Sequence, residues 1–192
     1  MRLETSIETH RFELRTLDDS YISDRYLSWL NTEEVNQFLE TRFTIQTLES
    51  LSDFVEQMLF SQSSLLLAIV SKESGLHIGN IKLGPINRAH NSAPLGLVIG
   101  EKSWWGKGVA KEVISSVSDW GFDFLGLDKL NAGSYASNMG SIRAFLACGF
   151  VEEGRQISQV KLPSGIRDDV VLLGKRSEER RVGKECLRLC RS

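Results

Sequence analysis

The chain has 192 residues, of which 41% are hydrophobic, and its formal net charge is −2. This length suits one domain with a sizeable core, and the slight negative charge disfavours a general nucleic-acid binder, which presents a basic surface. No apolar run approaches the ~20 residues of a membrane-spanning helix, and residues 1–4 lack the apolar stretch of a secretory signal. We therefore predict a cytoplasmic protein with no membrane and no nucleic-acid partner.

The first third of the chain predicts one strand followed by three helices. Residues 10–17 alternate apolar and charged side chains, which is typical of a strand with one buried face. A helix is predicted to begin at residues 18–20, a short one to cover 31–39 and a longer one to cover 47–60. The longer helix carries an apolar stripe that we interpret as core packing: Leu48, Leu51, Phe54, Val55, Met58 and Leu59.

The rest of the chain predicts six strands and two helices. The strands are expected over residues 65–70, 77–83, 94–100, 130–136, 150–160 and 170–173. One helix begins near Val109 and buries Val113, Ile114, Val117 and Trp120, and the other covers 138–148 and ends at Gly149. The order β-α-α-α-β-β-β-α-β-α-β-β is typical of a mixed α/β single domain.

The last 17 residues, 176–192, read as foreign to this domain. Their first eleven residues resemble the conceptual translation of a widely used sequencing adapter, so we expect the domain to end at residue 175. A short charged helix is the alternative that the composition allows. Residues 1–175 then carry 17 Lys and Arg against 22 Asp and Glu, a net charge of −5, and retain Cys148 alone. One cysteine supports neither a disulfide framework nor a metal site.

A glycine-bearing segment between the strand 94–100 and the next helix is the strongest candidate for a ligand site. It reads Ser-Trp-Trp-Gly-Lys-Gly-Val-Ala-Lys-Glu-Val over residues 103–113 and is called the glycine loop below. Gly106 and Gly108 lack Cβ atoms and let backbone N–H groups approach a ligand. The following helix adds its unpaired N–H groups and the positive end of its dipole. The glycine loop is therefore a candidate phosphate or pyrophosphate site.

Two common nucleotide motifs do not fit the glycine loop. A Walker loop requires Gly-Lys-Ser/Thr, whereas Lys107 is followed by Gly108. A Rossmann fingerprint requires a third glycine at the position of Lys111. On the loop alone, an ordinary glycine-bearing turn before a helix remains the alternative.

The glycine loop, a second motif and the order of elements together resemble the GNAT family of N-acetyltransferases, over residues 8–174. The family loop, Gln/Arg-x-x-Gly-x-Gly/Ala, is matched by Gly108 and Ala110, with Trp105 in place of the first residue. The second family motif, which begins with Asn-x-x-Ser and ends with Gly-Phe, is matched from Asn138 to Phe150. An aromatic residue at the first loop position is usual in the branch that acetylates ribosomal-protein N-termini (alanine or serine) and in related amino-sugar acetyltransferases.

The resemblance implies an α/β (α+β) fold, with a mixed, mostly antiparallel sheet flanked by helices on both faces, and one acetyltransferase domain over residues 1–175. It also implies acetyl-CoA as co-substrate and no metal. Two strands that splay apart would offer backbone groups of Leu97, Val98 and Ile99 to the pantetheine arm, and one N–H near Val98 or Ile99 would polarise the thioester carbonyl. Asn138 resembles the family asparagine that contacts pantetheine, and it also suits a helix N-cap. The pyrophosphate is expected on Trp105, Gly106, Lys107, Gly108, Val109, Ala110 and Lys111.

Acetyl transfer requires a neutral amine and a proton for the departing thiolate. Many family members use a tyrosine as the acid, but Phe145 stands at that position here. Ser141, one turn earlier, resembles the serine that some N-terminal acetyltransferases use, although a first-turn helix residue is the alternative. Glu101 is the candidate base, acting through water, against the alternative of a solvated loop carboxylate. His77 and His90 titrate in a suitable range and are not assigned.

The acceptor stays open between a nucleotide-linked amino sugar, a protein N-terminus and a small amine. The amino sugar would need basic residues nearby, and Lys82, Arg88 and Lys102 are available for that role. A protein N-terminus would need an acidic groove, and the net charge of −5 favours this acceptor. Asn80 and Lys82 are candidates to line the acceptor side. The alternative function is a CoA-binding module without turnover, suggested by the missing tyrosine. We expect a monomer or a homodimer that binds acetyl-CoA and an amine.

Overall fold

A computed structural model of the chain describes residues 1–178. The strands are β1 Ile7–Glu8, β2 Phe12–Thr16, β3 Leu65–Ser71, β4 His77–Leu83, β5 Ser92–Ile99, β6 Lys129–Tyr135, β7 Val151–Lys161 and β8 Arg167–Arg176. The α-helices are α1 Asp24–Asn31, α2 Glu33–Asn36, α3 Leu48–Phe60, α4 Val109–Phe124 and α5 Met139–Leu146. Short 3₁₀ turns cover Asp19–Tyr21, Glu40–Phe43 and Lys102–Trp104.

All eight strands form one sheet, in the order β1-β2-β3-β4-β5-β6-β8-β7. Neighbouring strands are antiparallel except β5 and β6, which are parallel. Because α4 connects these two parallel strands, both end at the same edge of the sheet, and α4 and α5 begin at that edge. The predicted mixed, mostly antiparallel α/β fold is confirmed.

Helices cover both faces of the sheet, as the family resemblance implies. On one face, called the α4 face, the helices α4 and α5 pack on apolar side chains of the strands, among them Phe12, Leu67, Ile81, Leu95 and Leu130. On the other, called the α1 face, α1 and α3 bury Trp29, Leu51, Val55 and Leu66. The predicted buried side of α4 is confirmed for Val109, Val113, Ile114 and Val117, whereas Trp120 is only partly buried.

The N-terminal third differs most from the sequence prediction. The strand β1 has two residues and therefore no periodicity that the sequence could display. Residues 18–20, which were predicted to begin a helix, lie at a 3₁₀ turn. The helix α1 begins later, at Asp24, because the hydroxyl of the preceding Ser23 caps it by accepting a hydrogen bond from the N–H of Tyr26 (3.2 Å). The helix predicted over 31–39 shortens to α2, and Thr32 makes no side-chain cap there.

The helix α3 follows its predicted bounds but buries less than its apolar stripe suggests. It begins after Thr47, which forms a capping box with Ser50. Its fully buried side chains are Leu51 and Val55, one turn apart, while Leu48 and Phe54 are 44% and 37% exposed. The helix contacts the sheet along a narrow line, so the outer residues of the stripe remain at the surface.

The strand β8 continues through Arg176, one residue past the predicted domain boundary, and the N–H of Ser177 donates to the carbonyl of Asp128. Residues 179–192 of the segment expected to be foreign lie outside the described residues. Among residues 1–178, no helix is both long and apolar enough to cross a membrane. Within the same range, no group of three or more His, Cys, Asp and Glu side chains is arranged to hold a metal ion.

Candidate active site

The parallel strands β5 and β6 separate before they reach the edge where they end. Residues 92–94 of β5 pair with residues 129–131 of β6, and beyond Pro94 the pairing stops. On its other side β5 remains paired with β4 as far as Ile99. A crevice therefore opens between the last residues of β5 and β6, which is where open α/β sheets bind ligands.

The register of β4 and β5 decides which backbone groups of β5 face this crevice. The N–H of Gly84 donates to the carbonyl of Pro94, and the N–H of Gly100 donates to that of Ile78. In an antiparallel ladder such bonds recur at every second residue, so the polar groups of Val98 belong to β4. The N–H groups of Leu97 and Ile99 therefore point toward β6, and that of Ile99 faces the crevice.

The glycine loop and the start of α4 lie at the same edge. Gly106 and Gly108 have φ of 71° and 75°, a region that glycine adopts without strain. Gly108 is the N-cap of the 16-residue helix α4, and the first helical hydrogen bond runs from the N–H of Glu112 to the carbonyl of Gly108 (3.1 Å). The N–H groups of the three residues before Glu112 thus have no acceptor within the helix. Together with the helix dipole, they can hold an anion.

Trp105 connects the glycine loop to the crevice. Its indole Nε1 donates to the carbonyl of Ile99 (2.7 Å), and its side chain is 43% exposed. The indole N–H thus pairs with the backbone carbonyl of Ile99, which lies on the side of β5 that faces β6. Lys107 lies over the ring of Trp104, with Nζ 5.8 Å from the ring centroid. The replacement of the family Gln or Arg by Trp105 therefore supplies a hydrogen bond from the loop to the strand.

An ion pair between Arg11 and Glu112, which are distant in the sequence, holds the glycine loop in place. The Arg11 guanidinium donates to the carbonyl of Lys107 (Nη1, 3.0 Å) and to the Glu112 carboxylate (Nε, 2.8 Å). Glu112 also accepts from the backbone N–H of Arg11 (2.7 Å) and from the hydroxyl of Thr9 (2.7 Å). Burial alone would raise the pKa of Glu112, but these hydrogen bonds outweigh it, and the pKa is lowered.

We expect Glu112→Gln to lower the free energy of unfolding by about 1 kcal/mol at pH 7, because hydrogen bonds to a charged group are lost at a partly exposed site. Since the folded-state pKa is lowered, the contribution is present above the ordinary glutamate value of 4.5 and is lost as the pH falls through the lowered value. Urea unfolding at pH 7 and at pH 3 measures both effects. The exposed Glu56 of α3 provides the control variant Glu56→Gln, and a deficit that persisted undiminished at pH 3 would contradict the assignment.

Asn138 and Ser141 lie at the start of α5, directly after β6. The Asn138 side chain caps the helix by accepting from the N–H of Ser141 (3.2 Å), as one of its two predicted roles requires. Ser141 is partly buried. Phe145, at the position of the family tyrosine, is buried against Phe150 with ring centroids 4.9 Å apart. Its place is therefore in the core.

Glu101 follows β5 and is not a freely solvated carboxylate. It accepts a hydrogen bond from the indole Nε1 of Trp29 (3.2 Å) and lies 3.7 Å from the Nε of Arg25. The Trp29 ring itself lies against Gly100, where a Cβ would come within 1.9 Å of a ring atom. The absence of a side chain at Gly100 thus allows α1 to hold Glu101 at the end of β5.

His77 and His90 occupy opposite ends of the neighbouring strands. His77 begins β4 on the α1 face and packs edge-on to Trp29, with ring centroids 4.9 Å apart. His90 lies in the connection before β5, at the edge away from the crevice. Arg88 shares that connection, and its guanidinium lies 3.4 Å from the carbonyl of Leu125. The structure thus separates His90 and Arg88 from the crevice.

The site has two walls, of which Glu101 and Trp29 form the first. The second wall, formed by Tyr135 and its partners, was not predicted from the sequence. The hydroxyl of Tyr135, the last residue of β6, donates to the Glu40 carboxylate (2.6 Å) and accepts from Arg42 (2.9 Å). Arg42 also donates to the carbonyl of Lys161. The segment from Trp29 to Arg42 therefore crosses over the ends of β5 and β6. An aromatic residue at the end of a strand was the one sequence signal that could have indicated Tyr135.

Two glycines form the floor between these walls. Gly96 of β5 and Gly133 of β6 alternate with residues buried on the α4 face, so both belong to the α1 face. Both are exposed, and no atom lies within 4 Å of a Cβ built at Gly96. We call the space between Glu101 and Tyr135 over these glycines the acceptor groove. It meets the crevice at Ile99.

Comparison with known proteins adds a family to this geometry. A family model described as "Acetyltransferase (GNAT) domain" matches residues 11–151. The chain is 28% identical over 149 residues to the uncharacterized N-acetyltransferase YoaA of Bacillus subtilis (strain 168), covering 77% of this chain and 84% of that protein. It is 33% identical over 82 residues to the spermidine N(1)-acetyltransferase of Vibrio cholerae, covering 43% of this chain and 47% of that protein.

Solved structures share the fold. The crystal structure of the Vibrio cholerae spermidine N-acetyltransferase in complex with CoA and spermine superposes with a TM-score of 0.79 at 21% identity, covering 88% of this chain and 97% of the other. A crystal structure of a protein named as an acetyltransferase gives a TM-score of 0.76 at 24% identity, covering 94% and 91% of the two chains. At these identities the likeness concerns the fold alone.

Proposed function

The chain belongs to the acetyltransferase (GNAT) family, and from this premise we propose that it acetylates the primary amine of a phosphate-free, cationic acceptor, with a protein N-terminus as the first candidate. It is an acetyl-CoA-dependent acetyltransferase. The observation that supports acetyl transfer is the crevice beside Leu97 and Ile99, where backbone N–H groups that face no strand meet the glycine loop and the start of α4. The choice of acceptor is supported by the charges around the acceptor groove.

The donor would lie along this crevice. The pyrophosphate would accept hydrogen bonds from the N–H groups of Val109, Ala110 and Lys111, favoured by the positive φ of the loop glycines and by the helix dipole. The pantetheine amides would pair with Leu97 as an added strand would. Asn138 would contact the same arm from the start of α5.

The reaction would proceed by direct attack in a ternary complex. The amine nitrogen forms a bond to the thioester carbon, the carbon–sulfur bond breaks, and free CoA and the N-acetyl product leave. The N–H of Ile99 would stabilise the carbonyl oxygen as it gains negative charge. Glu101, held by Trp29, would take the proton of the ammonium through water. The nitrogen loses its second proton as the amide forms, and Ser141 would relay that proton to the departing thiolate, so that its hydroxyl is regenerated.

Charges around the acceptor groove support a cationic acceptor over a nucleotide-linked sugar. Lys102, one of the basic residues considered for a phosphate, forms an ion pair with Glu34, and Arg88 lies at the opposite edge. Carboxylates stand at both walls, Glu101 beside Arg25 and Glu40 beside Tyr135 and Arg42. Lys82, the third basic residue considered, lies opposite Gly96 of the floor, and we propose that the two carboxylates outweigh it. An ammonium group would be attracted to these carboxylates, whereas phosphates would be repelled.

A polyamine is the second candidate acceptor. The relative from Vibrio cholerae is named a spermidine N(1)-acetyltransferase, and it matches 82 residues of this chain at 33% identity. Spermidine is cationic and carries no phosphate, so it satisfies the same electrostatic argument.

The test is an acceptor panel. The protein is incubated with acetyl-CoA and an alanine- or serine-led peptide, spermidine, or a nucleotide-linked amino sugar, while free thiol release is followed and products are identified by mass. We expect the highest kcat/KM with the peptide. Preference for the nucleotide sugar would refute a phosphate-free acceptor. Tight CoA binding without thiol release for any amine would favour a CoA-binding module.

We expect Ser141→Ala to lower kcat about tenfold or more while CoA affinity stays within twofold, because the hydroxyl is proposed to act only as the thiolate leaves. Steady-state rates and calorimetric titration with CoA give the two values. The backbone N–H of Ser141, which Asn138 binds, is retained in this variant, so the start of α5 should remain intact. Wild-type turnover in Ser141→Ala would remove the serine from the mechanism.

A further inference from the structure

Asn80 places a side-chain amide on the α1 face beside the acceptor groove. Its Oδ1 lies 2.7 Å from the Nε2 of His77. His77 in turn packs edge-on to Tyr21, Tyr26 and Trp29, which belong to the α1 face. These contacts fix the side of the sheet on which the amide lies.

The other end of this amide is buried without a partner. Asn80 is 3% exposed, and its Nδ2 has no hydrogen-bond partner among the described residues. The Ser118 hydroxyl, the second buried atom of this kind, lies within α4 on the opposite face. An unsatisfied buried donor costs free energy, and in a folded protein it calls for an explanation such as a ligand atom that accepts the bond.

His77 determines how the amide is oriented. Burial lowers the pKa of His77, so its ring is neutral at pH 7 and carries one N–H. With that N–H on Nε2, His77 donates to Asn80 Oδ1, and the amide NH₂ then points away from His77. The amide therefore presents two donor hydrogens and no acceptor toward the remaining space.

The position of Asn80 relative to the reaction follows from the sheet register. Asn80 lies directly opposite Val98, in a hydrogen-bonded pair whose Cα atoms are typically about 5.5 Å apart. Val98 precedes Ile99, whose N–H faces the crevice, and follows the exposed floor at Gly96 by two residues. An acceptor amine that reaches the thioester beside Ile99 would bring its neighbouring atoms over this part of the floor.

We propose that Asn80 selects among acceptors, because its Nδ2 donates to a carbonyl or hydroxyl oxygen adjacent to the reactive amine. A peptide N-terminus offers such an oxygen at its first carbonyl group, whereas a protonated polyamine offers no acceptor atom. This inference rests on the proposed function, since it requires the acceptor to occupy the groove. His77 acts through Asn80 as a positioning residue.

The test compares an alanine-led peptide with the same peptide in which a trans-alkene replaces the first peptide bond. The two acceptors differ in this carbonyl and its N–H, and therefore also in the basicity of the amine. Because each acceptor is the same molecule for every enzyme form, the difference in basicity cancels when the ratios of two enzyme forms are compared. The readout is the ratio of their kcat/KM values in wild type, in Asn80→Leu and in the isosteric Asn80→Asp. Calorimetric titration with CoA and thermal unfolding verify that each variant is folded.

We expect the ratio to favour the amide peptide about tenfold less in both variants than in the wild type, the effect of one hydrogen bond. The KM of acetyl-CoA should change less than twofold. A ratio unchanged in Asn80→Leu, or raised in Asn80→Asp, would overturn the role of Asn80 and leave the acetyl transfer standing. If Asn80→Leu fails to fold, the comparison is made with Asn80→Asp, and a ratio unchanged from the wild type there would also overturn the role. Failure of the wild type to acetylate either peptide would overturn the proposed acceptor and this inference together.

Discussion

Replacing Gly108 by aspartate is expected to weaken CoA binding at least a hundredfold. The new carboxylate would stand at the N-cap of α4, beside the proposed pyrophosphate site. Two like charges about 4 Å apart repel by about 4 kcal/mol at the effective dielectric of a protein surface. Sterics contribute little, because the nearest atom to an added Cβ is Arg11 Nη2 at 3.8 Å. Calorimetric titration with CoA measures the change.

A matched control separates this charge effect from backbone strain. Gly75, in the turn between β3 and β4, has φ of 67° and no atom within 4 Å of an added Cβ. Gly75→Asp therefore carries a similar conformational cost far from the crevice, and its CoA affinity should equal that of wild type. Gly108→Ala should lie between the two. Equal CoA affinity in Gly108→Asp and Gly75→Asp would refute the placement of pyrophosphate on the glycine loop.

Gly100→Ala is expected to lower the free energy of unfolding by about 1–3 kcal/mol, the usual range for overpacking. The added Cβ would come within 1.9 Å of the Trp29 ring, so the indole must move. Because the indole also binds Glu101, its displacement should lower kcat as well. Urea unfolding and thiol release measure the two effects on the same preparation.

Gly96→Ala serves as the partner variant, since both glycines lie in or directly after β5 and neither has a positive φ. No atom lies within 4 Å of a Cβ at Gly96, so its stability should remain within about 0.5 kcal/mol of wild type. A methyl group on the groove floor should instead raise the KM of the amine and leave that of acetyl-CoA unchanged. Wild-type stability in Gly100→Ala would contradict the packing of Trp29 described above.

The parts of the site that the sequence predicted are those coded by neighbouring residues. The glycine loop could be recognised because positive φ at Gly106 and Gly108 and the start of α4 are local properties. The cap at Asn138 is equally local, because its partner Ser141 lies three residues away. The alternation and apolar runs of β3, β4 and β5 likewise located the central strands.

The partners of Glu101 and the second wall could not be predicted in the same way. Trp29 is 72 residues from Glu101, and Arg42 is 93 residues from Tyr135. No periodicity or spacing connects such residues, because they meet only when α1 and the segment after it fold over the ends of β5 and β6. The location of Arg88, one of the basic residues considered for the acceptor side, could not be predicted for the same reason, since its position along the chain did not reveal at which edge of the sheet it would lie.

The amino-acid sequence by itself determined the fold class, the family resemblance and the position of the candidate anion-binding loop, because glycine conformation, helix capping and hydrophobic periodicity act over a few residues. The tertiary structure alone decided that Ile99, and not Val98, turns its N–H toward the crevice, because strand register fixes the direction of every second peptide group. It also decided that Arg11 and Glu112 hold the loop and that Asn80 keeps an unpaired donor beside the groove. These features depend on contacts between distant segments, and such contacts form only as the sheet assembles.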